Sequence, residues 1–180
     1  MELISRILDG SIPESLRASL PPSGMFGPRV TQDDKIARLE EVPLLEECSR
    51  KQLKAVAKIT EVVEVPADTV LARQGEPGNE FYLIMDGSAR VELSPRRRTR
   101  LKPGDYFGEM SLLDGEPRSA TVIAESPTVL YELTARNLYT YYKADIHAYV
   151  MVMQNINREL CRRLRRADNR LAELADAARD

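Results

Sequence analysis

Residues 104–121 read GDYFGEMSLLDGEPRSAT, and no other stretch constrains the chain as tightly. A glycine and an acid, Gly108-Glu109, precede a short apolar run, Met110-Ser111-Leu112-Leu113. A polar turn follows, Asp114-Gly115-Glu116-Pro117, and then Arg118-Ser119-Ala120-Thr121. Gly108 opens backbone conformations closed to other residues and lets a ligand approach closely. The run after it spans about one helical turn. A helix start offers N–H groups without carbonyl partners and a partial positive charge, which suits an anion. Arg118 re-enters after the turn with a permanent charge and a planar fork of donors, and Ser119 adds a hydroxyl. The pattern predicts a compact anion cradle.

Glu109 would repel a phosphate, yet it suits a sugar hydroxyl on the same ligand as an acceptor. One carboxylate for a hydroxyl and one arginine for a singly charged phosphate fit a cyclic nucleotide monophosphate. FGEMSLLDGEPRSAT resembles the phosphate-binding cassette of cyclic nucleotide-binding domains, found in cAMP- and cGMP-dependent kinase regulatory regions, bacterial catabolite activator proteins and nucleotide-gated channels. The family pattern, F-G-E-L/M-A/S-L, a spacer, then P-R-A/S/T-A-T, is filled at every position. The resemblance implies that Glu109 holds the ribose 2′-hydroxyl and Arg118 the cyclic phosphate. Backbone N–H groups around Gly108, Met110, Ser111, Ser119 and Ala120 would complete the cradle, and Phe107 opens the same ligand-binding set. The position after the cassette arginine is usually Ala in cAMP-kinase sites and Thr in cGMP-kinase sites; catabolite activators carry Ser and use cAMP. Ser119 therefore leans the expectation to cAMP over cGMP. No catalytic residue, metal or cofactor is expected.

Composition narrows the classes further. The chain has 180 residues, enough for one domain plus extensions. A net charge of −2 provides no global basic field for nucleic acid or membrane. No apolar run approaches a membrane span, and the N-terminus lacks the pattern of a signal peptide. Cys48 and Cys161 form no metal or redox motif, which suits a cytoplasmic setting. The single His147 argues against the metal sites of cupins, which share a β-roll but need several histidines.

Residues 1–35 mix Pro, Gly and Ser and read as an N-terminal extension, either a tail or a docking segment for a partner. Residues 36–59 are helical in pattern and interrupted at Pro43, with Ser49 as a helix cap. From 60 to 134 the period is two. Expected strands are Thr60–Val65, Thr69–Arg73, Phe81–Met85, Ala89–Leu93, Ala120–Ala124 and Val129–Leu133. Arg96-Arg97-Arg98-Thr99-Arg100 reads as a solvated hairpin tip. The expected fold is α+β: an antiparallel β-roll or jelly roll, a helical entry segment, and a long C-terminal dimerisation helix. The family resemblance covers residues 36–134.

Residues 135–180 read as a short helix and then a long one. Val150, Asn157, Leu164 and Leu171 fall at heptad position a, and Ile146, Met153, Leu160, Ala167 and Leu174 at d, a coiled-coil seam. Arg163 falls at g and Asp168 at the following e, the cross-strand pairing of a parallel homodimer. The stretch LCRRLRRADNRL resembles the catabolite activator helix that dimerises and caps the bound base. Ala167 and Asp168 stand where that helix carries hydroxyl residues, which puts the family's base contact in doubt. No residues remain for a DNA-reading domain. The sequence therefore predicts a non-enzymatic cyclic nucleotide receptor that signals to a separate effector protein. The alternative is an interaction domain of the same fold that no longer binds nucleotide. An enzyme such as a phosphodiesterase would need paired metal ligands, a Ser/His/Asp set or a Walker loop, and none is seen.

Overall fold

The structure is a computed structural model and describes residues 30–94 and 97–177. Residues 1–29, most of the expected N-terminal extension, and Arg96 of the basic run lie outside the described residues. Two capped helices lead in. Helix α1 (Gln32–Glu40) starts at Thr31, whose hydroxyl accepts the Asp34 N–H while the Asp34 carboxylate accepts the Thr31 N–H at 2.9 Å. That reciprocal cap starts the helix before residue 36, where the apolar periodicity begins. Pro43–Leu45 form a single 3-10 turn, and α2 (Arg50–Ile59) follows a second reciprocal cap between Ser49 and Gln52. Ile36 and Leu39 of α1 and Leu53, Val56 and Ala57 of α2 face inward.

Eight strands form two antiparallel four-stranded sheets. They are β1 (Glu61–Val65), β2 (Val70–Ala72), β3 (Glu80–Asp86), β4 (Ala89–Ser94), β5 (Arg97–Leu101), β6 (Tyr106–Phe107), β7 (Thr121–Ala124) and β8 (Thr128–Thr134). One sheet runs β1-β8-β3-β6 and the other β2-β7-β4-β5. Two cores result. Between the sheets lie Val65, Leu71, Tyr82, Ile84, Phe107, Val122 and Leu130. On the outer face of the first sheet, Phe81, Leu83, Tyr131 and Leu133 pack against the helices. Strands β3 and β8 are covered on both faces, which is why their sequences are nearly continuous hydrophobic runs rather than alternating ones.

The basic run departs from expectation. Its described part, Arg97 to Arg100, lies in strand β5 rather than at a hairpin tip, paired with β4 from Ala89↔Leu101 to Ser94↔Arg97. Arg98 reaches Glu92 at 3.3 Å and Arg100 reaches Glu125 at 3.0 Å. Charge on this strand keeps an edge from pairing with other chains. Strand β6 was also missed, being two residues long beside the cassette.

After β8 come α4 (Ala135–Ala144) and α5 (Ile146–Ala177), the latter about 48 Å long. Ala148, Val152, Asn155 and Ile156 are buried against the domain, and the Asn155 amide donates to the Leu44 carbonyl at 2.9 Å. From Cys161 onward every described residue of α5 is exposed.

Candidate functional site

The predicted cassette folds as β6, a one-and-a-half-turn helix α3 (Glu109–Asp114), a loop and β7. Gly108 caps α3 with φ of +88° and Gly115 ends it with φ of +73°, both left-handed. A side chain at Gly108 would also collide, since a Cβ there would lie 2.4 Å from the Glu80 carbonyl oxygen. The helix presents its first-turn N–H groups, at Met110 and Ser111, with no carbonyl partner inside α3.

Arg118 is buried, 6% exposed, and is held on several sides. Its Nη2 donates to the Glu80 carboxylate at 2.8 Å. Its Nη1 donates to the Glu80 carbonyl at 2.8 Å and to the Gly108 carbonyl at 3.2 Å. The loop before β3 wraps its backbone: the Arg118 N–H donates to the Glu76 carbonyl and the Gly75 N–H to the Arg118 carbonyl. Gly78 lies against the guanidinium so closely that a Cβ would sit 1.9 Å from Nε. Among the described residues, Nε–H and one Nη2 hydrogen carry no partner and are the donors left for an anion.

Glu109 is 4% exposed and its Oε1 accepts from Arg163 Nη1 of α5 at 2.9 Å. Burial pushes its carboxyl above the ordinary range; the Arg163 cation, the Glu109 N–H and Arg118 pull the other way. The Arg163 guanidinium also lies over the Tyr106 ring, 4.7 Å from its centroid. Arg118 bonds the carbonyl of the residue before Glu109, so one cassette carries a buried cation and a buried anion side by side.

The other predicted residues are spread around these two. Ser111 and Ala120 are buried, Met110 is exposed, and the exposed Ser119 hydroxyl lies 3.8 Å from the Met110 sulfur. The Phe107 side chain is in the inter-sheet core, stacked on Tyr82 at 5.0 Å, so any part it takes at the ligand goes through its backbone. Ala167 and Asp168 stand exposed on the projecting half of α5. Arg163, expected to reach a partner's helix, is turned onto Glu109, because a buried carboxylate demands a donor more than an exposed one does. Sequence reasoning missed Glu80, Gly78 and Tyr106, and missed the role of Arg163. Glu80 is 38 residues from Arg118 and Arg163 is 54 from Glu109, separations at which no periodicity reports a contact. A cleft of about 190 Å³ between the Pro43–Leu45 turn and α5 shares Tyr106 and Arg163 with this region but not Gly108, Glu109 or Arg118.

A two-sheet roll with a glycine-capped helix, a buried Arg and a buried Glu in one cassette defines the architecture of a cyclic nucleotide-binding domain. Residues 62–145 match the family described as the cyclic nucleotide-binding domain. A cyclic nucleotide-gated potassium channel from Mesorhizobium japonicum is 38% identical over 92 residues, 51% of this chain and 25% of the channel. The cAMP-dependent protein kinase regulatory subunit of Schizosaccharomyces pombe is 40% identical over 89 residues, 49% of this chain and 22% of the subunit. The chain thus spans about a quarter of the length of these curated relatives. Among solved structures, the Thermus thermophilus catabolite activator protein superimposes with a TM-score of 0.66 at 28% identity, covering 74% of this chain and 63% of that one. No helix among the described residues is long and apolar enough to cross a membrane.

Proposed function

We propose that the protein is a non-enzymatic, cytoplasmic cyclic nucleotide receptor, binding cAMP ahead of cGMP, that signals to a separate effector protein as a parallel dimer. The ligand-binding unit is 36–134, with Phe107, Gly108, Glu109, Met110, Ser111, Arg118, Ser119 and Ala120 as its contacts. The observation that carries this reading is the buried pair of opposite charges in one cassette. Burying an arginine and a glutamate in adjacent positions costs desolvation, and a ligand bearing both a phosphate and a vicinal hydroxyl gives each a use. The dimer rests on α5. Leu164, Leu171 and Leu174 are each more than 60% exposed and Val150 is 43% exposed, all on the a/d face.

One observation favours the alternative, a silent interaction domain: Arg118 and Glu109 each already have a charged partner within the chain. Calorimetry with cAMP and cGMP in parallel separates the two readings. A binding heat with either nucleotide is expected; none at millimolar concentration would leave only the interaction domain.

A further inference from the structure

We propose that strand β5 is a docking edge for an extended acidic segment of another protein, which adds beside it as a further strand with its carboxylates on Arg98 and Arg100. The inference goes beyond the receptor reading and does not rest on it.

Three observations carry it. The first is an open edge. Strand β5 ends the sheet β2-β7-β4-β5 and, among the described residues, pairs on one side only, with β4. In an antiparallel pair alternate residues turn their backbone N–H and C=O groups away from the neighbour, so β5 offers a row of donors and acceptors on its free side. The second is a uniform charge. Residues 96–102, RRRTRLK, hold five cations and no anion. Arg98 and Arg100 lie two apart, so they share one face of the strand, about 7 Å from each other along it. Their side chains are 64% and 72% exposed.

The third is how those two guanidiniums are held. Each is fastened at Nε: Arg98 to Glu92 Oε1 at 3.3 Å and Arg100 to Glu125 Oε2 at 3.0 Å. Arg100 Nη2 also donates to Ser88 Oγ at 3.1 Å. Among the described residues, both Nη groups of Arg98 and Nη1 of Arg100 have no partner. The forks are thus oriented and still keep donors for a carboxylate. The anchoring acids are also shared. Glu92 Oε1 takes Arg90 Nε at 3.0 Å as well, and Arg90 stands directly across the ladder from Arg100. Like charges in that position oppose each other, and an added carboxylate beside them relieves the repulsion.

The arginines that bar indiscriminate pairing also choose the occupant. A second β5 would set arginine against arginine, and an apolar strand would cover the guanidiniums without giving them acceptors. A phosphate surface is less well met. Glu92 and Glu125 lie among the arginines, and β5 has no aromatic side chain on which a base would stack. A strand with acids at alternate positions satisfies the backbone edge and both forks at once. Main-chain bonds then give affinity and the alternate side chains give selection.

The test uses the full chain without nucleotide, and short labelled peptides read by fluorescence anisotropy. One peptide alternates Glu with Thr. Another has the same composition with its acids contiguous, another alternates Lys with Thr, and the last is the first with every backbone nitrogen methylated. Phosphatidylserine vesicles and a single-stranded oligonucleotide are run beside them. The alternating acidic peptide should bind roughly tenfold more tightly than its contiguous isomer, and the methylated form should not bind. Arg98→Gln with Arg100→Gln should weaken the acidic peptide by roughly tenfold. Arg98→Glu with Arg100→Glu should abolish that binding and gain the lysine peptide. Equal binding of the alternating and contiguous peptides, or undiminished binding of the methylated one, reduces the surface to a basic patch and overturns the proposal. Vesicles or oligonucleotide that bind where the peptide does not assign the arginines to phosphate and overturn it too. Silence from every probe at about millimolar concentration does the same.

Discussion

At Arg118 three donated hydrogen bonds converge on one buried guanidinium, two of them to backbone carbonyls. Arg118→Ala strips a partner from the buried Glu80 carboxylate, a loss on the order of 2–5 kcal/mol where such charges are desolvated. It should weaken nucleotide binding by roughly thirtyfold or more, read by calorimetry. Arg118→Lys should recover little, since a lysine cannot span the Glu80 and Gly108 acceptors together. Gly78→Ala is the sharper probe, because it removes neither charge. Its methyl would lie 1.9 Å from Arg118 Nε, so the guanidinium must move. We expect about 1–3 kcal/mol of destabilisation in a denaturant melt and a loss of nucleotide affinity out of proportion to it. A variant with full affinity would show that Arg118 does not hold the phosphate in this pose. Glu109→Ala should weaken cAMP binding and leave 2′-deoxy-cAMP nearly untouched.

At the level of elements, α5 serves two surfaces. Its first half buries Ala148, Val152 and Ile156 against the domain, and the expected seam residues Met153 and Leu160 are themselves half-buried there. The seam is therefore divided. Its exposed apolar members, Ile146, Val150, Leu164, Ala167, Leu171 and Leu174, are the ones free to meet a second copy. A leucine fully buried in such a contact contributes roughly 1.5–3 kcal/mol. Leu164→Asp combined with Leu171→Asp should give a folded monomer by sedimentation, with the circular dichroism of the β-roll intact. Leu160→Asp would be a poorer choice, because it also injures the domain's own packing. Wild type sedimenting as a monomer at about 50 µM, well above typical specific affinities, would contradict the seam.

For the whole molecule, the helices, the cassette and α5 share one core through Leu112, Phe81, Leu133, Leu138 and Ile156. Ligand binding at the cassette should thus stabilise the folded unit as a whole. At a hundredfold excess over Kd, a ligand specific to the native state contributes about 2.7 kcal/mol. For a chain of this size that raises the thermal midpoint by roughly 5–11 °C. No rise with millimolar cAMP or cGMP would contradict the receptor reading at this scale.

Local rules settled much of this architecture in advance. Short apolar runs between turn residues marked most of the strands from 60 to 134, Pro43 and Ser49 divided the entry helices, and the heptad spacing marked one long final helix. The cassette was legible because its chemistry is contiguous: glycine, acid, apolar turn and arginine fall within eleven residues of Gly108. Strand β6 was not legible, since two residues carry no period, and the β5 arginines looked like a tip because an edge strand uses charge where an inner one uses Val or Ile. What only the tertiary structure decided is who partners the buried charges. Glu80 and Arg163 are distant along the chain, and they are brought to Arg118 and Glu109 by sheet pairing and by the docking of α5. The sequence determined which groups are present and in what local order; desolvation inside the folded core decided which of them must find each other.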